Sequence, residues 1–304
     1  MSKNVKRQLP NPIKLAQLMR FRTPSIHIKR SRLNRAFTIW DLRDIAKKRT
    51  PQGPFDYTDG AAESESSLER ARQAFKDIEL VPNILRDVSD VDLSCTIFDR
   101  TYQMPMGIAP TGFTRLMQTE GEIAGSRAAE KFGIPFSLST LGTTSIEDVV
   151  KAAPNGDNWF QLYMWKDREG SMALVERAKR AGVKTLHLTV DVPAAGHRLR
   201  DSYNGLTIPP TLTVKTLLNA IPRPAWWMNF LTTPAIEFAS MSSWNGTVGE
   251  LLDYMFDPTM TFEDLKWIRS EWDGNLIVKG VQNLEDAKMA AKLGADAVLL
   301  SNHG

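Results

Sequence analysis

The feature of this chain that most constrains its fold is an alternation of short apolar and amphipathic segments from residue 104 onward. The apolar segments are MPMGIAPT (104–111), FSLST (136–140), WFQLYM (159–164), TLHLTVD (185–191), LIVKGV (276–281) and AVLLSNH (297–303). Stretches with the apolar spacing of a helix lie between most of them, and those at 120–132, 168–181 and 284–293 are each followed by Gly, which commonly ends a helix. A spacing of roughly 25 residues predicts parallel βαβ units, hence a doubly wound sheet or a (β/α) barrel.

Two patterns favour the barrel. No G-x-G-x-x-G turn follows the first predicted strand, so the dinucleotide-binding fingerprint is missing. Every predicted strand also ends in polar residues, and in a barrel all such ends converge on one mouth, where barrel enzymes place their chemistry. These residues are Thr111, Ser139, Thr140, Gln161, Tyr163, Thr189, Asp191, Lys279, Ser301 and His303. The predicted fold is an α/β TIM (β/α)8 barrel with about six of the eight strands in this chain.

The predicted fourth and fifth strands are separated by a segment too long for an ordinary connection. We expect residues 192–275 to form an excursion over the barrel mouth. Its aromatic stretch AWWMNFL (225–231) could rest on a membrane interface or pack on the barrel or a neighbouring subunit, and packing is the favoured interpretation.

The charge is distributed unevenly along the chain. Residues 1–50 contain 14 Lys and Arg against Asp41 and Asp44, whereas the remainder has a net charge of −9. The interpretation is a basic leader at 1–36 and a barrel domain at 37–304. The leader could meet anionic lipid or an acidic partner, but a solvated tail that binds nothing specific is favoured. Nucleic acid is not expected, because no recognised binding motif accompanies the charge.

The compartment is inferred from three further features. Cys95 is the only cysteine, which excludes an internal disulfide and favours a reducing cytoplasm. The sequence contains neither a secretory signal nor an apolar run of about 18 residues. A cytoplasmic protein, with peripheral attachment to the inner face of the membrane as an option, is therefore expected.

The last stretch, AVLLSNHG, places Ser301 and His303 on one face of an extended chain. An imidazole at the mouth of an apolar strand suits general-base chemistry, because it can take up and release a proton near neutral pH. A structural histidine at a strand end is the alternative, and this stretch alone does not choose between them.

Several longer strings match one family in order: FDYTDGA, APTGF, LST, WFQLYMWKDR, TVDVPAAGHRLRD, FDPTMTFEDLKWIR, IVKG and SNHG. From Phe37 to its last residue the sequence resembles the FMN-dependent 2-hydroxy acid dehydrogenases and oxidases, most of all the bacterial L-lactate dehydrogenases that use no NAD. The resemblance implies an FMN flavoprotein that oxidises a small L-2-hydroxy acid, most readily L-lactate to pyruvate. Members of the family are commonly tetramers.

The resemblance also implies site residues. His303 matches the catalytic base, Asp191 its acidic partner, and Tyr163 a hydroxyl of the same site. The substrate-binding positions are Tyr57, Tyr163, Arg198 and His303, and the FMN-binding positions are Ala109, Pro110, Thr111, Ser139, Gln161, Thr189 and Lys279. No metal is expected. Leu141 departs from plant glycolate oxidases, which have Trp there, and this implies a differently shaped substrate pocket.

The reaction expected from the resemblance starts with transfer of the hydroxyl proton to His303 and of the α-hydrogen to flavin N5 as hydride. A route through a carbanion is the competing version. Quinone is the expected electron acceptor and O2 the alternative. There are two rival interpretations. One is a non-catalytic barrel fragment, and the other is a different FMN-binding or phosphate-binding barrel that acts on another substrate.

The family motif continues past SNHG into a second arginine and strands seven and eight. If the 304 residues are the whole polypeptide, weak or absent FMN binding and an unclosed sheet with two exposed edges are expected. The corresponding hypothesis is that this chain is a fragment or truncated product of a complete enzyme.

Overall fold

The computed structural model describes residues 9, 11–19, 32–205, 213–241 and 255–304. The chain divides into two units, Met1–Ile45 and Ala46–Gly304. The first contains helix α1 (Pro12–Leu18) and the start of α2 (Ile39–Arg49). Thr38 caps α2, because its Oγ1 accepts from the Asp41 amide at 3.2 Å. Much of the predicted basic leader, residues 1–8, 10 and 20–31, lies outside the described residues, so the leader remains a prediction.

The second unit begins with helices and one hairpin and continues into alternating strands and helices. Its first elements are α3 (Gln52–Asp59), α4 (Ser66–Lys76), β1 (Cys95–Ile97), β2 (Arg100–Tyr102), α5 (Thr114–Met117) and α6 (Gly121–Phe132). The next are β3 (Pro135–Ser139), α7 (Ile146–Ala152), β4 (Asp157–Tyr163), α8 (Arg168–Arg180), β5 (Thr185–Thr189), α9 (Leu199–Asn204), α10 (Val214–Ala220) and α11 (Pro224–Leu231). A 3₁₀ turn (Ala239–Met241), α12 (Phe262–Glu271), β6 (Asn275–Val281), α13 (Leu284–Lys292) and β7 (Ala297–Leu300) complete the described elements.

Strands β3 to β7 form one parallel sheet in sequence order, with each strand hydrogen-bonded to the next. Helices α7, α8, α12 and α13 form the crossovers. Successive parallel neighbours joined by helices are the construction of a (β/α) barrel rather than of a doubly wound sheet, in which the strand order reverses.

The first predicted strand, at 104–111, is reduced in the structure to a single parallel bridge between Ile108 and Phe136. The Ile108 amide donates to Pro135 O at 2.9 Å, and Ile108 O accepts from the Ser137 amide at 2.9 Å. Pro105 and Pro110 lack the amide hydrogen that a longer ladder would need. The segment therefore lies beside β3 where the prediction put it, without the length of a strand.

Side chains alternate between the two faces of the sheet with the parity of the residue number. Even-numbered residues form the main apolar core under the helices: Phe136, Leu138, Phe160, Leu162, Leu186, Leu188, Leu276 and Val278. Odd-numbered residues face the inner side, where Trp159 and Ile277 pack with Tyr102 in a separate apolar cluster. The predicted polar residues at the strand ends are also odd-numbered, apart from Thr140. The alternation that directs the apolar side chains to the core therefore also directs these polar side chains to the inner face.

His187 is a buried imidazole on the inner face, 2% exposed, with Nδ1 3.3 Å from Ser137 Oγ. Within the described ranges its Nε2 has no hydrogen-bond partner. Burial, with the nearby Lys279 ammonium, lowers the pKa of His187 to about 4. In the unfolded chain the pKa of this histidine is near its ordinary value of 6.5. As the pH falls, the unfolded chain therefore takes up a proton at His187 before the folded protein does, and the folded state loses stability between pH 6.5 and 4.

We therefore expect the free energy of unfolding to fall by up to about 3 kcal/mol over this pH window because of His187. Urea unfolding of the wild type and of His187→Phe at pH 7, 5.5 and 4.5 measures it, and the variant should show a flatter dependence on pH. His197→Gln, at an exposed histidine, is the control. An unchanged pH dependence in His187→Phe would contradict the assignment.

Candidate active site

The site lies at the carboxyl ends of the parallel strands, on the inner face. Ser139 is the last residue of β3 and Thr189 the last of β5, while Gln161 and Lys279 lie near the ends of β4 and β6. Their odd numbers direct all four side chains to the same side of the sheet. The sheet therefore brings together four of the residues that were predicted to bind a flavin.

Three of these side chains are joined in a buried row. Ser139 Oγ donates to Gln161 Oε1 at 3.1 Å, and Gln161 Nε2 donates to Thr189 Oγ1 at 2.9 Å. The Thr140 amide also donates to Gln161 Oε1, at 3.2 Å. These contacts fix the orientation of the amide, with its oxygen towards β3 and its nitrogen towards β5.

Asp191, just beyond β5, lies at the centre of the charged part of the site. Its Oδ1 is 2.8 Å from His303 Nδ1 and its Oδ2 is 3.4 Å from Lys279 Nζ. Ser301 Oγ is 3.2 Å from the same ammonium. The Asp191 side chain is only 3% exposed. Burial acts to raise the pKa of Asp191, but the His303 hydrogen bond and the Lys279 charge outweigh it and hold the pKa below its ordinary value.

Tyr163 completes the surroundings of the imidazole. Its hydroxyl is 3.1 Å from His303 Nε2, and its ring packs edge-on against Phe256. Burial raises the pKa of Tyr163, and Asp191 and Tyr57 raise it further, so the phenol keeps its proton and donates. Because Asp191 only accepts hydrogen bonds, Nδ1 of His303 holds the ring proton and Nε2 is the acceptor.

The backbone aims His303 into this position. Its φ is +67°, in the left-handed region, which His adopts more readily than most residues with a β-carbon. The His303 amide donates to Ser301 Oγ at 3.0 Å and so ties the turn to the residue that contacts Lys279. The imidazole keeps one side open, because its side chain is 38% exposed.

Tyr57 and Arg198 form a second group. The Arg198 guanidinium lies 5.0 Å from the centre of the Tyr57 ring, its Nη2 donates to the Tyr57 and Gly60 carbonyls, and its Nε donates to Asp201 Oδ2 at 2.7 Å. Burial raises the pKa of Tyr57; the Arg198 charge opposes this and the Asp201 charge adds to it. In the part of the chain that the structure describes, these contacts use Nε and Nη2 and leave Nη1 for a ligand.

An aromatic wall supports Tyr57. Its ring meets Phe113 edge-on at 5.9 Å, and Phe113 meets Phe238 at 4.4 Å. The other predicted flavin contacts follow the Ile108 bridge beside β3; they are Ala109, Pro110 and Thr111. Ala109 and Thr111 are exposed.

Sequence reasoning missed Asp201, Phe113 and Phe238. The i,i+3 spacing of Arg198 and Asp201 could have indicated the first, because such pairs meet on a helix surface. The sequence contains no local signal for the contact between Phe113 and Phe238, which lie 125 positions apart.

The predicted excursion, 192–275, contains α9, α10, α11, the 3₁₀ turn and α12 among its described residues, while 206–212 and 242–254 lie outside them. The aromatic stretch 225–231 is divided. Trp226 stacks on Phe230 and donates from Nε1 to Leu116 O at 2.8 Å, whereas Met228 and Leu231 are exposed. The favoured packing interpretation therefore holds for the two aromatic rings and not for their two exposed neighbours.

A parallel (β/α) sheet with an imidazole–carboxylate pair, an ammonium and a polar row at its carboxyl edge has the construction of a barrel enzyme whose active site lies at the strand ends. Among the described residues, no group of three or more His, Cys, Asp or Glu is arranged to hold a metal ion. No described helix is long and apolar enough to span a bilayer.

The chain belongs to the FMN-dependent dehydrogenase family, whose model matches residues 46–304. It is 56% identical over 300 residues to a putative L-lactate dehydrogenase of Mycobacterium tuberculosis, across 99% of this chain and 72% of the relative. It is 38% identical over 271 residues to an L-lactate dehydrogenase of Vibrio parahaemolyticus, across 87% and 71%. The structure matches (S)-mandelate dehydrogenase, described as a monotopic membrane protein, with a TM-score of 0.85 and 36% identity, across 89% and 73%.

These matches confirm the predicted TIM-barrel fold and the FMN-dependent oxidoreductase class. FMN is the cofactor of the family, and the polar row fits a flavin by its donor chemistry. Gln161 Nε2 has a second hydrogen beyond the one given to Thr189, and Lys279 adds a cation. The edge of a flavin pyrimidine ring presents carbonyl oxygens and ring nitrogens, which such donors suit.

Proposed function

We propose that this protein oxidises a small L-2-hydroxy acid, most readily L-lactate to pyruvate, with FMN as the first electron acceptor. The observation that carries the proposal is the arrangement of His303, with Nδ1 against the buried Asp191 carboxylate, Nε2 facing the Tyr163 hydroxyl, and a side chain that is 38% exposed. The names of the relatives, L-lactate dehydrogenase in two organisms, support lactate as the substrate.

In this proposal His303 takes the substrate hydroxyl proton on Nε2. The imidazolium that forms has Nδ1 2.8 Å from Asp191 Oδ1, so the carboxylate stabilises the new charge. The protonated Tyr163 hydroxyl, 3.1 Å from Nε2, contacts the same substrate oxygen and orients it.

Arg198 and Tyr57 are proposed to bind the substrate carboxylate. A guanidinium suits this task because it keeps its positive charge at any working pH, and Nη1 of Arg198, which the contacts above leave for a ligand, can donate to a carboxylate oxygen. The Tyr57 ring holds the plane of the guanidinium, and the raised pKa of Tyr57 keeps its hydroxyl a donor.

FMN would supply the redox step by accepting the α-hydrogen of the substrate with its electron pair; removal of that hydrogen as a proton first is the competing order. The residues proposed to hold FMN are Ala109, Pro110, Thr111, Ser139, Gln161, Thr189 and Lys279. Lys279 would offset negative charge on the reduced flavin, as its ammonium, 3.4 Å from Asp191 Oδ2, already does for that carboxylate.

The experiment that tests the function is anaerobic reduction of the FMN-loaded enzyme by L-lactate, D-lactate, glycolate and L-mandelate, followed by absorbance near 450 nm. The proposal requires fast bleaching by L-lactate and none by D-lactate. Reoxidation then separates the acceptors, since we expect a quinone analogue to restore the absorbance faster than O2 does. Rapid peroxide formation would support the oxidase alternative, and no bleaching by any hydroxy acid would refute the function.

We further propose peripheral attachment to the cytoplasmic face of the membrane through α10 and α11. Helix α10 and the residue that follows it present an apolar stripe with i, i+3, i+4, i+7 spacing, and each member is at least 50% exposed: Val214, Leu217, Leu218 and Ile221. Met228 and Leu231 of α11 are equally exposed. A stripe of this kind suits the interface of a bilayer, and the matched mandelate dehydrogenase is described as monotopic.

The membrane proposal predicts that Leu218→Ser combined with Ile221→Ser reduces sedimentation with anionic vesicles several-fold. The loss of apolar area buried in the bilayer is the physical reason. Ile84→Ser, which removes an exposed apolar side chain outside the excursion, is the matched control and should sediment like the wild type. Equal sedimentation of all three proteins would contradict the proposal.

A further inference from the structure

Helix α9 holds Arg198 against Tyr57, yet the helix is not fixed to the domain by an apolar core. None of its six residues is buried, and Tyr203 is largely exposed. Polar contacts therefore hold this helix in register with α3, which contains Tyr57. At the start of α9 they are the Arg198 bonds to the Tyr57 and Gly60 carbonyls and the Glu63 amide bond to His197 O at 2.8 Å, and further along the helix a second contact adds to them.

The second contact is a cluster of charges around Arg200. Its Nη1 lies 3.1 Å from Asp59 Oδ2 and 3.8 Å from Asp56 Oδ1, and its Nη2 is bonded to Glu65 Oε2. Asn204, one turn further along α9, donates to Asp56 Oδ2 at 2.8 Å. All three carboxylates belong to α3 or to the turn that follows it, so one guanidinium joins the two substrate-binding segments.

The carboxylates are well enough shielded for these contacts to matter. Their side chains are between 8% and 15% exposed, whereas exposed ion pairs contribute little. Glu65 also accepts from the Ala61 amide at 3.0 Å, and its backbone φ is +61°. Without Arg200, three carboxylates would be left close together and partly desolvated, and the turn would lose the partner that holds its strained residue.

Arg200 also packs closely over the start of that turn. A β-carbon at Gly60 would approach Arg200 Cδ within 3.1 Å, so the arginine stem lies directly on the Gly60 backbone. The Gly60 carbonyl in turn accepts from Arg198 Nη2 at 3.3 Å. A displacement of Arg200 would therefore be felt by both Arg198 and the end of α3.

We propose that Arg200 is a positioning residue that sets the relative placement of Arg198 and Tyr57, and thereby the affinity of the site for the carboxylate of its ligand. The inference rests on the proposed function, because Arg198 and Tyr57 are its carboxylate-binding residues. Arg200 makes no contact with substrate in this account and acts only through the two segments it joins.

The test compares Arg200→Ala, Arg200→Lys and a matched control, Arg177→Ala, in the FMN-loaded enzyme. Arg177 makes a comparable two-pronged ion pair with Glu147, at 3.1 and 2.9 Å, which joins α7 and α8 away from α9. The first readout is the Kd for oxalate, an unreactive dicarboxylate, from its perturbation of the flavin absorbance. The second is the separation of KM from kcat with L-lactate, and the melting temperature is recorded for each variant.

We expect Arg200→Ala to raise both the oxalate Kd and KM by about tenfold or more, with a smaller fall in kcat, because a carboxylate site displaced by even 1 Å binds poorly. Arg200→Lys should recover part of the loss, since a lysine keeps the charge but lacks the fork. Arg177→Ala should leave both Kd and KM unchanged.

Equal oxalate Kd values for Arg200→Ala and Arg177→Ala would overturn the inference. If Arg200→Ala does not fold, the test uses Arg200→Lys and Asp59→Asn instead. An oxalate Kd equal to that of the wild type in both variants would then overturn the inference. The proposed function fails differently: wild-type enzyme that neither perturbs its flavin spectrum with oxalate nor turns over L-lactate would refute the function itself, whatever the variants do.

Discussion

Replacement of His303 by Gln is expected to lower kcat/KM for L-lactate by about 10²–10⁴-fold, the range that a positioned general base contributes. Glutamine can still contact Asp191, but its amide nitrogen cannot take the hydroxyl proton that Nε2 accepts in the proposed mechanism. The measurement is steady-state turnover with a quinone analogue, together with anaerobic flavin reduction, which isolates the half-reaction that needs the base.

His197→Gln is the control for this substitution, because His197 is exposed and makes only a 3.7 Å contact with Glu63. It should turn over at the wild-type rate. FMN content must be equal in the two variants, so that a lost cofactor is not mistaken for lost chemistry. If His303→Gln reduces its flavin with L-lactate as fast as the wild type, His303 is not the base.

The second large effect is expected for Asp191→Asn, also a fall of about 10²–10⁴-fold in kcat/KM. The neutral amide cannot stabilise an imidazolium, and its nitrogen would donate to Nδ1 and move the ring proton to Nε2, where the substrate proton must be accepted. Lys279 would lose its ion pair in the same variant, since its Nζ lies 3.4 Å from Asp191 Oδ2.

The two consequences of Asp191→Asn can be separated. A lower affinity for FMN would indicate that the ion pair with Lys279 supports cofactor binding. Slow flavin reduction at full FMN occupancy would indicate that the carboxylate acts through the His303 imidazole. Asp77→Asn, an exposed carboxylate that accepts from the Gln73 side chain at 2.7 Å, is the control and should show neither effect. Full activity of Asp191→Asn would contradict the proposed role of the Asp191 carboxylate in catalysis.

Much of the site was predictable because strand periodicity is a local property. Gln161, Thr189 and Lys279 share a face because each occupies an odd position in its strand, and the apolar even positions require the opposite face to be the core. The meeting of Asp191 and His303, 112 positions apart, follows from the parallel order of the strands, since their carboxyl ends lie on one edge.

What the sequence could not provide is the arrangement of segments whose contacts are tertiary. The 104–111 stretch has strand-like composition, and its prolines limit it to one bridge. Arg200 resembles any charged surface residue until α3 places Asp59 and Glu65 around it. In the same way, the contact between Phe238 and Phe113 depends on the path of the excursion, which no local pattern specifies.

Strands β5 and β6 pair directly, residue for residue from Thr185 with Asn275 to Thr189 with Lys279, although the excursion separates them in the chain. The continuity of the sheet therefore does not depend on what the intervening residues are. Such a segment can be lengthened, shortened or exchanged between related enzymes as a cassette while the strand ends keep their register. Evolution, or a protein engineer, could thus change the surface that this segment presents without rebuilding the carboxyl edge of the sheet.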